Sequence, residues 1–125
     1  MAANICVYCP ADEDGPFRCD LEEALETFFN GAAEDCGAGV GVNGFNVDYE
    51  FGPGQDPHPW ADRLKPLLAG LGVRPGTYFD VFPDGWEPGK EWRRVEVFGD
   101  DRRRADRPGP SHLAEQDAPP DRSGD

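Results

Sequence analysis

Long apolar runs are absent from this sequence. No stretch approaches the ~18 consecutive apolar residues that a membrane-spanning helix needs. The N-terminus also lacks the basic stretch followed by an apolar stretch that marks an export signal. We therefore expect a cytoplasmic protein that does not insert into a membrane. Its four cysteines, Cys6, Cys9, Cys19 and Cys36, are then expected to be reduced thiols rather than disulfides.

Basic residues are nearly absent from the first half of the chain. Residues 1–58 contain twelve acidic residues and one basic residue, Arg18, and the whole chain has a net charge of -13. Phosphate backbones are bound by neutralising Lys and Arg side chains, so this charge argues against nucleic acid as a partner. It favours a basic protein partner, and solubility is the alternative reason for an acidic surface.

The order of predicted elements follows from a hairpin turn. Asn43-Gly44 separates two stretches that alternate like strands, and this dipeptide favours a two-residue hairpin turn. A strand-like run over residues 4–9 precedes the first helical pattern. A second helical pattern begins after Asp56-Pro57, and strand-like runs over 77–82 and 92–98 follow it.

This order of elements, βαββαβ, predicts an α+β fold of the ferredoxin-like sandwich type. We expect residues 1–99 to form the single domain, with strand order 2-3-1-4-5, an added C-terminal edge strand, and both helices on one sheet face. Residues 100–125 are charged, rich in Pro and Gly, and contain one aliphatic residue larger than alanine, Leu113. Such a segment buries too little apolar area to offset its ordering entropy, so we predict a disordered tail.

One face of the predicted sheet is polar. A turn at Asn43-Gly44 places Val42 opposite Phe45 on the face that packs on the helices. The open face then carries a glycine strip, formed by Gly37, Gly39 and Gly41, beside acidic side chains. Its predicted binding residues are Tyr8, Asn46, Asp48, Glu50 and Asp80. Three of these are carboxylates, so an alternative interpretation is a small enzyme whose clustered carboxylates hold a hard cation or have a raised pKa.

Two further features of the sequence carry chemical meaning. Cys6-Val7-Tyr8-Cys9 has the C-x-x-C spacing of soft-metal ligands, because thiolates suit copper(I) and zinc. Residues three apart in a strand point to opposite faces, however, which favours structural cysteines. Trp86 and Trp92 flank a loop containing Gly and Pro, and either residue can anchor an interface or cover the edge of the core.

The sequence therefore predicts a non-enzymatic acidic protein-interaction module that binds or inhibits a basic partner surface. The alternatives are a thiol metal-binding domain that uses Cys6 and Cys9, and the small carboxylate enzyme. We expect no cofactor, no nucleic-acid partner and no membrane. The two histidines, His58 and His112, have no Ser or Cys partner positioned by sequence, so no catalytic triad is predicted.

Overall fold

The computed structural model of the chain describes residues 2–10, 17–41 and 44–105. The described elements are β1 (Asn4–Pro10), α1 (Phe17–Phe29), β2 (Ala33–Gly41), β3 (Gly44–Phe51), α2 (His58–Gly70), β4 (Tyr78–Phe82), β5 (Trp92–Glu96) and β6 (Asp101–Arg104). The described part of the chain is α+β, with two helices and a six-stranded antiparallel sheet in the order β2-β3-β1-β4-β5-β6.

Both helices pack on the same face of the sheet, which we call the helix face. The largest fully buried side chains on this face come from α1, α2 and the central strands, and include Leu21, Leu25, Phe29, Leu64, Leu68, Ile5, Val7, Val47, Tyr49, Phe79 and Val81. Burying side chains of this size stabilises the fold by about 1.5–3 kcal/mol each. The opposite face of the sheet, the open face, carries the even-numbered residues of β1, β3, β4, β5 and β6, because side chains alternate along a strand.

Strand β6 corrects the predicted domain boundary. The first five strands have the predicted order, but Asp101–Arg104 continues the sheet within the segment that the sequence assigned to a disordered tail. The prediction failed here because it counted apolar residues, whereas β6 is held by backbone pairing with β5 and by an ion pair between Asp101 and Arg93. The rest of the predicted tail, residues 106–125, lies outside the described residues.

The hairpin between β2 and β3 has a different register from the predicted one. Gly41 pairs with Gly44 and Val40 with Phe45, so the strands are shifted by two residues and the predicted pair of Val42 with Phe45 is wrong. Val42 and Asn43 lie outside the described residues. A shift of two keeps each side chain on its predicted face near the turn. Nearer the start of β2, a β-bulge between Asp35 and Gly37 changes the alternation.

Gly44 is required by the contact between β3 and β1. A Cβ atom at this position would lie 2.0 Å from the backbone oxygen of Cys9. Gly44 pairs with Pro10 on β1 as well as with Gly41 on β2. A residue without a side chain therefore allows β3 to start between two neighbouring strands.

Candidate functional site

The open face divides into two parts of different chemistry. Strands β2 and β3 contribute the carboxylates of Glu34, Asp48 and Glu50, and neither strand contains a Lys or Arg. Strands β4, β5 and β6 contribute aromatic and arginine side chains. Strand β1 lies between the two parts because it pairs with both β3 and β4.

The acidic part is concentrated at the outer edge of the sheet. We call Glu34, Asp35, Asp48 and Glu50 the acidic edge; Asp48 is half-buried and the other three are exposed. A cavity of about 490 Å³ opens here, and its lining includes Glu34, Asp35, Glu50 and Cys36 but no Lys, Arg or His. The ion pairs of Arg93, Arg94 and Arg102 are formed with Asp62, Asp101, Asp80 and Asp100, none of which belongs to the acidic edge.

Two predicted binding residues, Asn46 and Asp48, contact the Cys6 thiol. The Cys6 Sγ donates a short hydrogen bond to Asp48 Oδ1. The Asn46 amide Nδ2 donates to the same oxygen at 3.3 Å and lies 3.8 Å from the thiol. Burial, reinforced by the negative charge of Asp48, raises the pKa of Cys6 well above its ordinary value. The thiol is therefore a protonated donor that orients Asp48 rather than a reactive thiolate.

Cys6 and Cys9 lie on opposite faces of β1. Cys9 belongs to the core on the helix face, and burial raises the pKa of its thiol to about 12. One ion cannot contact both sulfurs without local rearrangement of the strand. A search of the described residues finds no group of three or more His, Cys, Asp and Glu side chains placed to hold a metal ion. Cys36, at the bulge, is the exposed thiol among the described free cysteines.

Asp80 differs from the other carboxylates of the open face because it is buried and paired with an arginine. It pairs with Arg94 across β4 and β5, and the guanidinium donates to both carboxylate oxygens at 2.7 and 2.8 Å. The Asp80 residue is only 2% exposed. Burial raises the pKa of Asp80, although Arg94 acts in the opposite direction. Asp48 and Asp80 both pair with Cys6 and share the open face with Glu50, and the pairing with Arg94 neutralises Asp80.

The remaining predicted residues belong to the aromatic part of the open face. The rings of Tyr8 and Tyr78 lie 4.9 Å apart, and Arg94 lies over Tyr78 at 4.3 Å. Trp92 is 2% exposed and stacks on Phe82 at 5.5 Å. Trp92 is therefore a buried residue of the open face rather than an exposed anchor.

Trp86 is half-buried and its position is fixed by two contacts. The indole Nε1 donates to the Lys90 backbone oxygen at 3.0 Å, and the ring packs edge-on against Phe82 at 5.0 Å. Trp86 lines a cavity of about 330 Å³ together with His58, Lys90, Trp92 and Arg103. Of the two predicted anchors, it is the one that retains accessible surface.

Sequence reasoning missed Glu34 and Asp35 as site residues. These residues precede the glycine strip in β2. They lie at the edge of the described sheet because β2 pairs there with β3 on one side and is the outermost strand on the other. The predicted strand order already placed β2 at an edge, so the signal was two adjacent acids in an edge strand. The glycine strip itself is partly filled, because a Cβ atom at Gly39 would lie 2.8 Å from Asn46 Oδ1.

Arg93 is the second residue that sequence reasoning missed. It is 7% exposed on the helix face and donates to Asp62 at 2.7 Å and to both oxygens of Asp101 at 2.6 and 2.8 Å. His58 Nδ1 lies 3.4 Å from the same guanidinium, and burial lowers the pKa of His58. Arg93 thus joins β5, β6 and the first turns of α2, which is a structural role.

The described helices contain 13 residues each, and neither is long and apolar enough to cross a membrane. Comparison of the chain with protein-family models, with curated proteins and with solved structures found no match.

Proposed function

We propose that this protein is a non-enzymatic interaction module that binds a basic surface of another protein through the acidic edge. The observation that carries this proposal is the cavity at the acidic edge, whose lining includes Glu34, Asp35 and Glu50 and no basic side chain. A Lys or Arg side chain from a partner supplies the missing charge.

The distribution of cations in the molecule supports this assignment. Arg93 and Arg94, which lie farther along the sheet, are held by Asp101, Asp62 and Asp80. They are therefore engaged away from the acidic edge. Two opposite charges 4 Å apart interact by about 1 kcal/mol in water and by about 4 kcal/mol at the effective dielectric of a protein surface. Charges at an interface rim act mainly on the association rate and its salt dependence.

We also propose that residues 2–105 form a ferredoxin-like βαββαβ sandwich extended by two strands. The adjacent strands β2-β3-β1-β4, with both helices packed on one face, support this assignment, and β5 and β6 are the additions. Such a fold carries many unrelated activities, so the function rests on the acidic edge and not on the topology.

The test measures the binding of a defined basic probe. A fluorescein-labelled, end-capped decapeptide of alternating arginine and valine is titrated with the full chain, and fluorescence anisotropy gives the Kd. We expect saturable binding that weakens as salt rises, because exposed charges are screened over ~8 Å at physiological ionic strength. A glutamate and valine peptide of equal length is expected to show no binding.

The matched variants are Glu34→Gln/Glu50→Gln and Glu87→Gln/Glu91→Gln. Both remove two exposed carboxylates, but Glu87 and Glu91 lie in the loop between β4 and β5. We expect the first variant to raise the Kd by at least about threefold, a factor that corresponds to one weak surface ion pair. The second variant is expected to leave the Kd nearly unchanged. Equal effects of the two variants would assign the attraction to net charge and overturn the acidic edge as the site.

A further inference from the structure

We infer that the partner contributes an extended basic strand, which adds to the open edge of β2 as a further strand of the sheet. This inference rests on the proposed function and specifies how the acidic edge is used. Strand addition combines main-chain hydrogen bonds, which supply affinity, with side-chain contacts on alternating sides, which supply specificity.

The pairing of the sheet shows which backbone groups of β2 are available. The Phe51 N–H donates to the Ala3 oxygen at 2.9 Å, so the odd residues of β3 direct their backbone groups toward β1. In an antiparallel pair these directions alternate along the strand. Val47 therefore bonds toward β1, and Ala38, which is paired with Val47, directs its own N–H and C=O away from β3. Ala38 is exposed, and β2 is the outermost strand on this side of the described sheet.

Acidic clefts flank the β2 edge on both sides. The first is the cavity of about 490 Å³ that includes the open-face residues Cys36 and Glu50. The second, of about 250 Å³, is on the helix side and is lined by Glu26, Gly31, Ala33, Glu34, Asp35 and Tyr49. A strand added along β2 projects successive side chains to opposite faces. The side chains that the added strand projects to either face then lie near carboxylates. We therefore expect Lys and Arg at the positions of the partner strand that extend beyond the paired segment.

The β-bulge at Cys36 limits the length of this pairing. It interrupts the ladder between Asp35 and Gly37, so regular pairing is available along Gly37–Gly41. Bulges and charges at an edge also protect a sheet against indiscriminate pairing. An acidic edge of this kind repels acidic strands and favours a basic one.

Charge favours a strand from another protein over one from a second copy. The chain carries a net charge of -13, so two copies repel each other. Its own arginine-rich strand β6 is already engaged, because Arg102 pairs with Asp100 and Arg104 lies 5.3 Å from the ring centre of Trp92.

The experiment compares Ala38→Pro with Ala38→Thr in the full chain, using the arginine and valine decapeptide. Proline removes the outward N–H of residue 38 without changing charge, and an edge strand tolerates proline where the N–H faces solvent. We expect Ala38→Pro to raise the Kd by about tenfold, the upper range for one lost hydrogen bond. Ala38→Thr keeps the N–H and is expected to change the Kd by less than about twofold.

A second probe keeps the inference testable if Ala38→Pro fails to fold. A decapeptide of the same sequence with every backbone nitrogen methylated has the same charge but no main-chain donor. We expect the unmodified chain to bind it at least about tenfold more weakly. Equal binding of the two peptides, or equal Kd values for the two folded Ala38 variants, would overturn strand addition.

The two proposals fail in different ways. Loss of binding in Glu34→Gln/Glu50→Gln together with unchanged binding in Ala38→Pro would keep the basic partner and overturn the added strand. Unchanged binding in both would overturn the acidic edge itself. Sedimentation of the chain without peptide is expected to show a monomer, and self-association that Ala38→Pro abolishes would overturn the choice of a different protein as partner.

Discussion

Replacing Asp101 by Asn tests whether β6 belongs to the folded domain. Asp101 and Asp100 are neighbours in sequence and have different partners. Asp101 accepts two hydrogen bonds from the buried guanidinium of Arg93, whereas Asp100 pairs with Arg102 on the surface. Asp100→Asn is therefore the matched control, since it makes the same chemical change one residue away.

The expected magnitudes follow from exposure. Hydrogen bonds to charged groups contribute about 1.5–3 kcal/mol each. The Asp101 side chain is 37% exposed and Asp62 continues to hold Arg93 in the variant, so screening and the second partner reduce the loss. We expect Asp101→Asn to lower the free energy of unfolding by about 1–2 kcal/mol. The side chains of the Asp100 pair are 62% and 65% exposed, and Asp100→Asn is expected to cost less than about 0.5 kcal/mol.

Urea unfolding followed by circular dichroism measures both variants, and its pH dependence gives an independent check. Arg93 lowers the pKa of Asp101 below its ordinary value of 3.8. A carboxyl whose pKa is lower in the folded state than in the unfolded state stabilises the folded protein. This contribution is complete at pH values above the unfolded pKa and is lost as the pH falls through the folded pKa. The difference between the unmodified chain and Asp101→Asn is therefore constant near neutral pH and shrinks below about pH 4. Equal unfolding midpoints for the two Asn variants at pH 7 would refute the role of β6 in the domain.

Two other substitutions and one labelling experiment have distinct expected outcomes. Gly44→Ala should destabilise the protein more than Gly76→Ala by at least about 1 kcal/mol in urea unfolding. Both glycines have a positive φ that strains any substitution, but a Cβ at Gly44 would also lie 2.0 Å from the Cys9 backbone oxygen, whereas one at Gly76 would lie 3.3 Å from a Pro10 ring carbon. Arg94→Met should cost about 3–5 kcal/mol at pH 7 because it leaves a buried carboxylate unpaired. Adding Asp80→Asn should recover part of this loss, and recovery of none would contradict the pairing. Cys36 should react with iodoacetamide far faster than the two buried thiols of β1, as peptide mass spectrometry would show; comparable rates would contradict their burial.

Local sequence signals predicted the elements well because they are encoded by periodicity and turn residues. The two helices and the succession of the first five strands along the chain follow from patterns within each segment, and the order of these strands in the sheet was predicted from that succession. The register of the β2–β3 hairpin could not be predicted from local sequence signals. The turn preference of Asn43-Gly44 competes with the pairing of Gly44 to Pro10 on β1. Tertiary contacts determined the register, and the bulge at Cys36 accommodates it.

The candidate site was predicted only in part because charge pairing across strands decides which carboxylates remain available. Asp48 and Asp80 both lie on the open face, but Arg94 pairs with Asp80 and neutralises it. The signal for this pairing was present, since an oppositely charged pair across two neighbouring strands is a favourable contact. Arg93 gave no such signal, because its partners come from α2 and from a segment predicted to be a tail.

The central claim is that a basic strand binds along the acidic edge, and chemical-shift mapping tests it most directly. Titrating the arginine and valine decapeptide into the ¹⁵N-labelled full chain reports each backbone amide separately. We predict the largest shifts over Glu34–Gly41 and at Glu50, with that of Ala38 among them because its N–H gains a hydrogen-bond acceptor. Shifts centred on the loop around Trp86, or no localised shifts at a peptide concentration that saturates the anisotropy signal, would contradict the account.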